Sequence, residues 1–345
     1  MSADSRLDQL QNWLREDLRW PLVRVAPASA DASFRRYFRI WRPDGVTRIV
    51  MDAPPDKEDV APYLKVSELL ARCAVHVPRV EASDVRRGFV LLEDLGSISY
   101  LSQLQADAGV EALYQDALTA LLRIQIGGRE LHGQLPQYDR PVLARELELM
   151  PQWFCTRHLG LSLGDTDRAL IESTFEFLIA EALAQPLVFV HRDFHSRNLM
   201  ALSAANPGII DFQDALAGPS AYDLVSLLKD CYIDWPRARV EGWVRGYRTR
   251  LIAAGGDGGR DDSLYLRWFD LIGLQRHIKV LGIFARLWYR DGKRGYLDDL
   301  PRTLGYVRDS ARRYPELQQF SQWVETRLVP ELAPANARVR AGAPV

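Results

Sequence analysis

An α+β protein of two lobes, a small antiparallel sheet followed by a larger helical body, is the architecture this sequence predicts. Three observations carry that expectation. Up to about Leu95 the chain is dominated by short β-branched and aromatic runs with one helical stretch among them. Beyond Gly96 long helical periodicity takes over. The strand-like segments that remain cluster between Leu187 and Ile210, around a loop dense in polar residues. At 345 residues the chain is comfortable for two lobes, which we place at residues 1–96 and 97–345.

The elements follow in chain order. Leu7, Leu10, Leu14 and Leu18, widened by Trp13, fall on one face of a helix that stops before Pro21. SFRRYFRIW (33–41) and RIVMD (48–52) flank a Pro-Asp-Gly turn and read as a hairpin. Pro62 opens a short helix with Val66, Leu69, Leu70 and Cys73 on one side. Residues 77–80 and 88–92 read as further strands. Residues 101–126 and 166–183 are long helices, the second with Asp165 or Thr166 as N-cap. From Tyr222 onward only helical periodicity recurs, interrupted at 255–259, and the Ala- and Pro-rich stretch 334–345 is expected to fray.

Composition excludes several classes of function. Lys and Arg total 44 against 45 for Asp and Glu, a net charge of -1, so no global basic field exists to attract nucleic acid or an anionic membrane. Cys73, Cys155 and Cys231 are widely spaced, without metal-ligand companions, and read as reduced packing residues of a cytoplasmic protein. The first residues, MSADSRLDQL, carry no signal-peptide pattern. No run of about 18 apolar residues suggests a membrane span.

The chemistry is concentrated in PLVFVHRDFHSRNLM and PGIIDFQDAL, within residues 186–216. An apolar run ends in His191, Arg192 and Asp193, Asn198 lies five residues on, and a second apolar run delivers Asp211 and Phe212. Strand, tight loop, strand, Asn-Pro-Gly turn and strand would gather Asp193, Asn198 and Asp211. Phosphoryl transfer from a nucleoside triphosphate needs such a set: a carboxylate to take the acceptor hydroxyl's proton, and an Asn and Asp to hold Mg²⁺ on the phosphates. The pattern matches H-R-D-x-x-x-x-N followed by D-F-x. Asp193 is the expected base, His191 an orienting residue, Asn198 and Asp211 the metal ligands, and ATP and Mg²⁺ the cofactors. Arg197, beside Asn198, is placed to neutralise the transferring phosphoryl group or lies on the surface.

HRDFHSRNLM with IIDFQDALAGPSAYDL resembles the aminoglycoside phosphotransferase and choline kinase group, the small-molecule branch of the protein-kinase-like fold. That resemblance implies that Asp223 is structural and ties the following helix to the catalytic loop. IVMDAPP, LLEDLG and LQRHIKVLGIFARLWYRDGK further resemble anomeric amino-sugar kinases of bacterial cell-wall recycling, implying a small amino sugar phosphorylated at C1. Another hydroxyl acceptor (an aminoglycoside, choline or homoserine) and a non-catalytic nucleotide-binding regulator stay open beside it.

The small lobe departs from the kinase pattern. Met51 stands where a strand Lys would grip the phosphates, and Glu68, its expected partner, lies about 200° round the helix from Val66. Loss of both members is coherent, since a buried Glu without its Lys would be costly. Arg35, Arg36 and Arg39 on the hairpin are the replacement candidates, or else a solvated strand face. The loop 28–33 lacks the usual glycines. Ile49 falls on the adenine-facing side, and register puts the backbone of Glu93 and Leu95 at the linker between lobes. On the acceptor side Arg276, His277, Lys279 and Arg286 lie near Trp268, Trp288 and Tyr289. These cations would suit a carboxylate, while the aromatics fit a helical core equally well. Asp230, Asp234, Asp261, Asp262, Asp298 and Asp299 keep a cationic acceptor open.

Overall fold

The computed structural model describes residues 4–30, 34–107 and 109–341. Helix α1 (Ser5–Asn12) runs on as a π-helical turn, Trp13–Asp17, ahead of Pro21. Strands β1 (Arg24–Ala30), β2 (Arg36–Trp41) and β3 (Thr47–Asp52) precede helix α2 (Ala61–Arg72), and β4 (Val80–Asp84) and β5 (Phe89–Glu93) follow it. They form one sheet in the order β1-β2-β3-β5-β4, antiparallel throughout. The side-chain period of two splits this sheet into two apolar faces. Phe38, Ile40, Val50, Phe89 and Leu91 meet Leu10, Trp13 and Leu14 on one side. On the other, Met51, Val90 and Leu92 join Tyr63, Val66, Leu69 and Leu70 of α2.

The larger lobe begins with α3 (Tyr100–Gln105), α4 (Val110–Gly127), α5 (Arg140–Leu147) and α6 (Asp165–Leu183). Short strands β6 (Leu187–Val190), β7 (Leu199–Met200), β8 (Gly208–Ile209) and β9 (Leu216–Pro219) pair as β6-β9 and β7-β8. The chain then continues through α7 (Tyr222–Leu228), α8 (Arg237–Ala253), α9 (Asp262–Asp291), α10 (Leu300–Ala311), α11 (Gln318–Trp323) and α12 (Val329–Arg340). Helix α9, 30 residues long, is the axle of this lobe and buries polar Asp270, Gln275, Arg276, His277 and Lys279 along with its apolar residues. Gly282 lets it lie directly on Leu149, whose backbone carbonyl carbon would be 2.3 Å from an added Cβ.

Four local expectations are corrected. The strand placed at 77–80 forms at Val80–Asp84, because Pro78 has no N–H to donate and His76 bridges Gly208 instead. The helix at 101–126 is two helices, parted where Asp107 and Gly109 take left-handed backbone at φ 53° and 63°. Helix α6 is capped by Asp167, whose carboxylate accepts from the Gly164 N–H at 3.3 Å, with Gly164 itself at the N-cap. Residues 334–340 belong to α12, held by buried Leu332, Ala335 and Val339 despite Pro334, while residues 342–345 lie outside the described part. Helix α5, the helical segment Met150–His158 and strand β9 had no expectation. The three cysteines are free and buried.

Candidate active site

Strand β6 ends at Val190 and hands the chain to His191, Arg192 and Asp193. Two buried carboxylates from the segment after β9 clamp this loop. Asp223 in the first turn of α7 accepts from the N–H groups of His191 at 2.7 Å and Arg192 at 3.0 Å, the structural role implied for it. Asp230 accepts from the Ser196 N–H at 2.9 Å and from the Ser196 hydroxyl. Clamped so, the loop holds Arg192 at φ 77°, a conformation that needs surrounding support. The His191 ring accepts from the Asp193 N–H at 3.3 Å, and burial pushes its pKa down to about 4, so it is a neutral orienting group.

The β7-β8 hairpin brings the other two residues in. Asn198 donates through Nδ2 to the Asp193 carbonyl at 3.1 Å and to Asp211 Oδ2 at 3.2 Å. Its nitrogen is thereby committed, and its amide oxygen is the atom left to accept or ligate. Gln213 donates to Asp211 Oδ1 at 2.9 Å, and Asp211 sits at φ 63°. Among the described residues no group of three or more His, Cys, Asp or Glu gathers as a metal cage. One carboxylate and one amide oxygen instead fit Mg²⁺, which keeps waters and shares its remaining positions with phosphates.

These residues open onto a cavity of about 400 Å³ between the catalytic loop and α9. Six basic side chains line it (Arg35, Arg197, Arg276, Lys279, Arg286 and Arg290) against three carboxylates, Asp193, Asp211 and Asp214. Burial alone would raise the Asp193 carboxyl, yet Lys279, His195, Arg276 and Arg192 outweigh it and hold the group below its ordinary value. Lys279 is itself fixed by Glu146 and by the Tyr222 hydroxyl, each at 3.1 Å. Glu146 also pairs with Arg192. That carboxylate lies on α5, a helix without a sequence expectation, and nothing in its local pattern marks it.

The small-lobe candidates separate by strand face. Arg35 reaches the cavity and approaches Asp211 at 3.9 Å. Arg36 points to the opposite face, where it and Arg6 pair with buried Asp52. Arg39 is bidentate to Asp94 at 2.7 and 2.9 Å and donates to the Gly96 carbonyl. Ile49 lies on the cleft side with Met51, which is fully buried, and Glu68 is exposed. Glu93 accepts from the Arg79 N–H and meets the His76 ring, and Leu95 is buried beside Gly208. Residues 31–33 of the loop without glycines lie outside the described residues. Phe212, next to the metal candidate, packs its ring 4.8 Å from Tyr63 of α2, a contact the sequence could not announce.

On the acceptor side Arg276, Lys279 and Arg286 line the cavity, but His277 bonds the Lys229 carbonyl at 2.9 Å and stacks on Tyr306 inside the lobe. Trp268, Trp288 and Tyr289 are packing residues elsewhere. The aromatic side chains at the cavity are Tyr222, Tyr232, Phe284 and Tyr296, and the Arg197 guanidinium stacks 3.6 Å from the Tyr232 ring. None of the six aspartates weighed for a cationic acceptor lines the cavity: Asp230 clamps Ser196, Asp261 caps α9, and Asp299 pairs with Arg302.

Comparison with known proteins agrees with this geometry. A model of the phosphotransferase enzyme family matches residues 24–261. The N-acetylmuramate/N-acetylglucosamine kinase of Pseudomonas putida is 45% identical over 331 residues, covering 93% of this chain and 96% of the relative. The kinase of the same name from Neisseria meningitidis is 46% identical, covering 90% and 92%. Among solved structures, an ethanolamine kinase of Plasmodium vivax superposes with a TM-score of 0.63 at 13% identity, covering 92% of this chain and 90% of its own. An ADP-bound aminoglycoside phosphotransferase gives 0.57 at 15%, covering 88% and 97%. The two-lobed architecture is therefore the protein-kinase-like fold.

Proposed function

We propose that this chain, which belongs to the phosphotransferase enzyme family, is an ATP-dependent amino-sugar kinase that phosphorylates the anomeric C1 hydroxyl of N-acetylmuramate and N-acetylglucosamine in cell-wall recycling. Its relatives along nearly the whole chain are named for those two sugars. The observation that carries the reading is the Asp193, Asn198 and Asp211 constellation facing a cavity richer in cations than in carboxylates. A cationic acceptor such as an aminoglycoside or choline would meet mainly like charge on that wall.

In this reading Asp193, kept ionised by its cationic neighbours, orients the sugar hydroxyl and accepts its proton as the oxygen–phosphorus bond forms and the bond from the γ-phosphorus to the departing ADP oxygen breaks. An anomeric hydroxyl is more acidic than an ordinary alcohol, so one carboxylate suffices. Asn198 and Asp211 would hold Mg²⁺, which when bound offsets charge on the phosphates. Arg35 contacts the phosphates in place of the strand Lys, and Arg197 faces the transferring group. Residues 1–96 form the nucleotide lobe, with Ile49 and the backbone of Glu93 and Leu95 around adenine. Arg39 braces the interlobe linker through Asp94. The complete Asp-Asn-Asp set argues for turnover rather than a silent regulator. No described helix is long and apolar enough to cross a membrane, and the buried free thiols suit the reducing cytoplasm, where we place the protein.

Phosphorus NMR of the product made from each sugar tests the reading. A phosphate coupled to the anomeric proton is expected, with a rate loss of about 10²-fold or more in Asp193→Asn. A product with a free reducing end, or no product from either sugar, would overturn it.

A further inference from the structure

Helix α9 presents a basic stripe to the cavity. Arg276, Lys279, Ile283, Arg286 and Arg290 follow one another at intervals of three or four residues and all line it. Most of the cations at this wall are already engaged. Lys279 pairs with Glu146, Arg290 is bidentate to Asp291 at 2.8 and 2.9 Å, and Arg276 is buried against Cys231 and near Asp193. Arg286 differs. Its Nε is buried without a hydrogen-bond partner, and it makes no ion pair among the described residues. Around it stand Ile283, Leu287 and a second arginine, Arg290, and the carboxylate that acts on it, Asp291, is already held bidentately by Arg290.

We infer that Arg286 is the specificity residue that receives the carboxylate of an acidic sugar acceptor, the group by which N-acetylmuramate differs from N-acetylglucosamine. This rests on the amino-sugar kinase reading above. Arg286 lies seven residues beyond Lys279, roughly 10 Å along the helix from the end that faces Asp193. That offset suits a hexose whose anomeric oxygen is at the base and whose ether-linked carboxylate reaches toward the cavity mouth. A planar fork in a partly apolar wall favours bidentate capture of a carboxylate. The neutral sugar would leave Arg286 unused, so both sugars fit one site with different demands on this residue.

The test is steady-state kinetics of Arg286→Gln, Arg286→Lys and Arg290→Gln with both sugars. For Arg286→Gln we expect KM for N-acetylmuramate to rise about tenfold or more, the loss of one charged hydrogen bond. N-acetylglucosamine turnover should stay within about twofold, which also shows that the variant folds. Arg286→Lys should recover part of the loss, and Arg290→Gln should leave the ratio between sugars unchanged. Equal effects on both sugars, or none on either, would overturn the assignment of Arg286 while leaving the kinase reading intact. Wild-type protein inert toward both sugars would overturn the reading and the inference together.

Discussion

Asp193 lies on the catalytic loop and Asp223 clamps that loop from the first turn of α7, yet the two have opposite electrostatic fates. Asp193 is ringed by cations and kept acidic, so it remains a competent base well below neutrality. Burial raises Asp223 to about 7, against the pull of two backbone N–H donors. A carboxyl whose folded-state pKa lies above its ordinary 3.8 binds an extra proton in the folded protein between those values. Its contribution to stability is therefore fullest below that window and declines as pH rises to about 7. Activity should move the other way. A proton on Asp223 turns an acceptor toward an N–H, and the loop that aims Asp193 slackens. We expect kcat to rise through pH of about 7 while the thermal midpoint falls from acid pH toward the same value. Parallel kcat and melting profiles check this, and a kcat flat across that range would show that Asp223 stays ionised.

At the scale of elements, the N-terminal sheet assigns its arginines by strand alternation. Arg35 precedes β2 on the cleft side, whereas Arg36 turns to the α1 side and shares Asp52 with Arg6. Arg35→Ala should weaken ATP binding by about 1–3 kcal/mol, roughly five- to 150-fold. Arg36→Ala should leave ATP affinity unchanged and lower the melting temperature, since Asp52 is buried and keeps only Arg6. Calorimetric titration beside thermal melts separates the two. Weakened ATP binding in Arg36→Ala alone would put the phosphate cation on the wrong side of our strand.

For the whole molecule, the joint between lobes is as much apolar as polar. Phe212 follows the candidate metal ligand, is fully buried, and rests on Tyr63 of α2. His76 adds a backbone bridge to Gly208 and a side-chain contact to the Ala205 carbonyl at 3.2 Å. Position of α2 and position of Asp211 are thus linked through one ring pair. Removing Phe212 should cost about 3–5 kcal/mol through lost burial and the cavity left behind. Phe212→Ala is therefore expected to shift the urea midpoint downward and to raise the Mg²⁺ concentration needed for turnover. A variant destabilised but unchanged in its metal requirement would show that the two lobes pack without tuning the site.

Sequence alone determined what depends on neighbours along the chain. The catalytic loop, its flanking strands, the β2-β3 hairpin, α2 and the exposure of Glu68 were readable because period, turn chemistry and motif spacing are local. The fates of Met51 and the hairpin arginines were readable only as alternatives. Which arginine faces the cleft needs the register of β2 against β3, and whether it is engaged depends on Asp52 and Asp94, 16 and 55 residues away from their partners. Glu146, Tyr63 and Asp230 reach the site from helices and loops whose local sequence says nothing about it. Pro334 inside α12 makes the same point for the fold: local propensity favours a break there, and burial of Leu332, Ala335 and Val339 overrides it. Covalent neighbours fix which chemistry the chain can present, and only long-range packing decides which charges are already paired and which remain for a ligand.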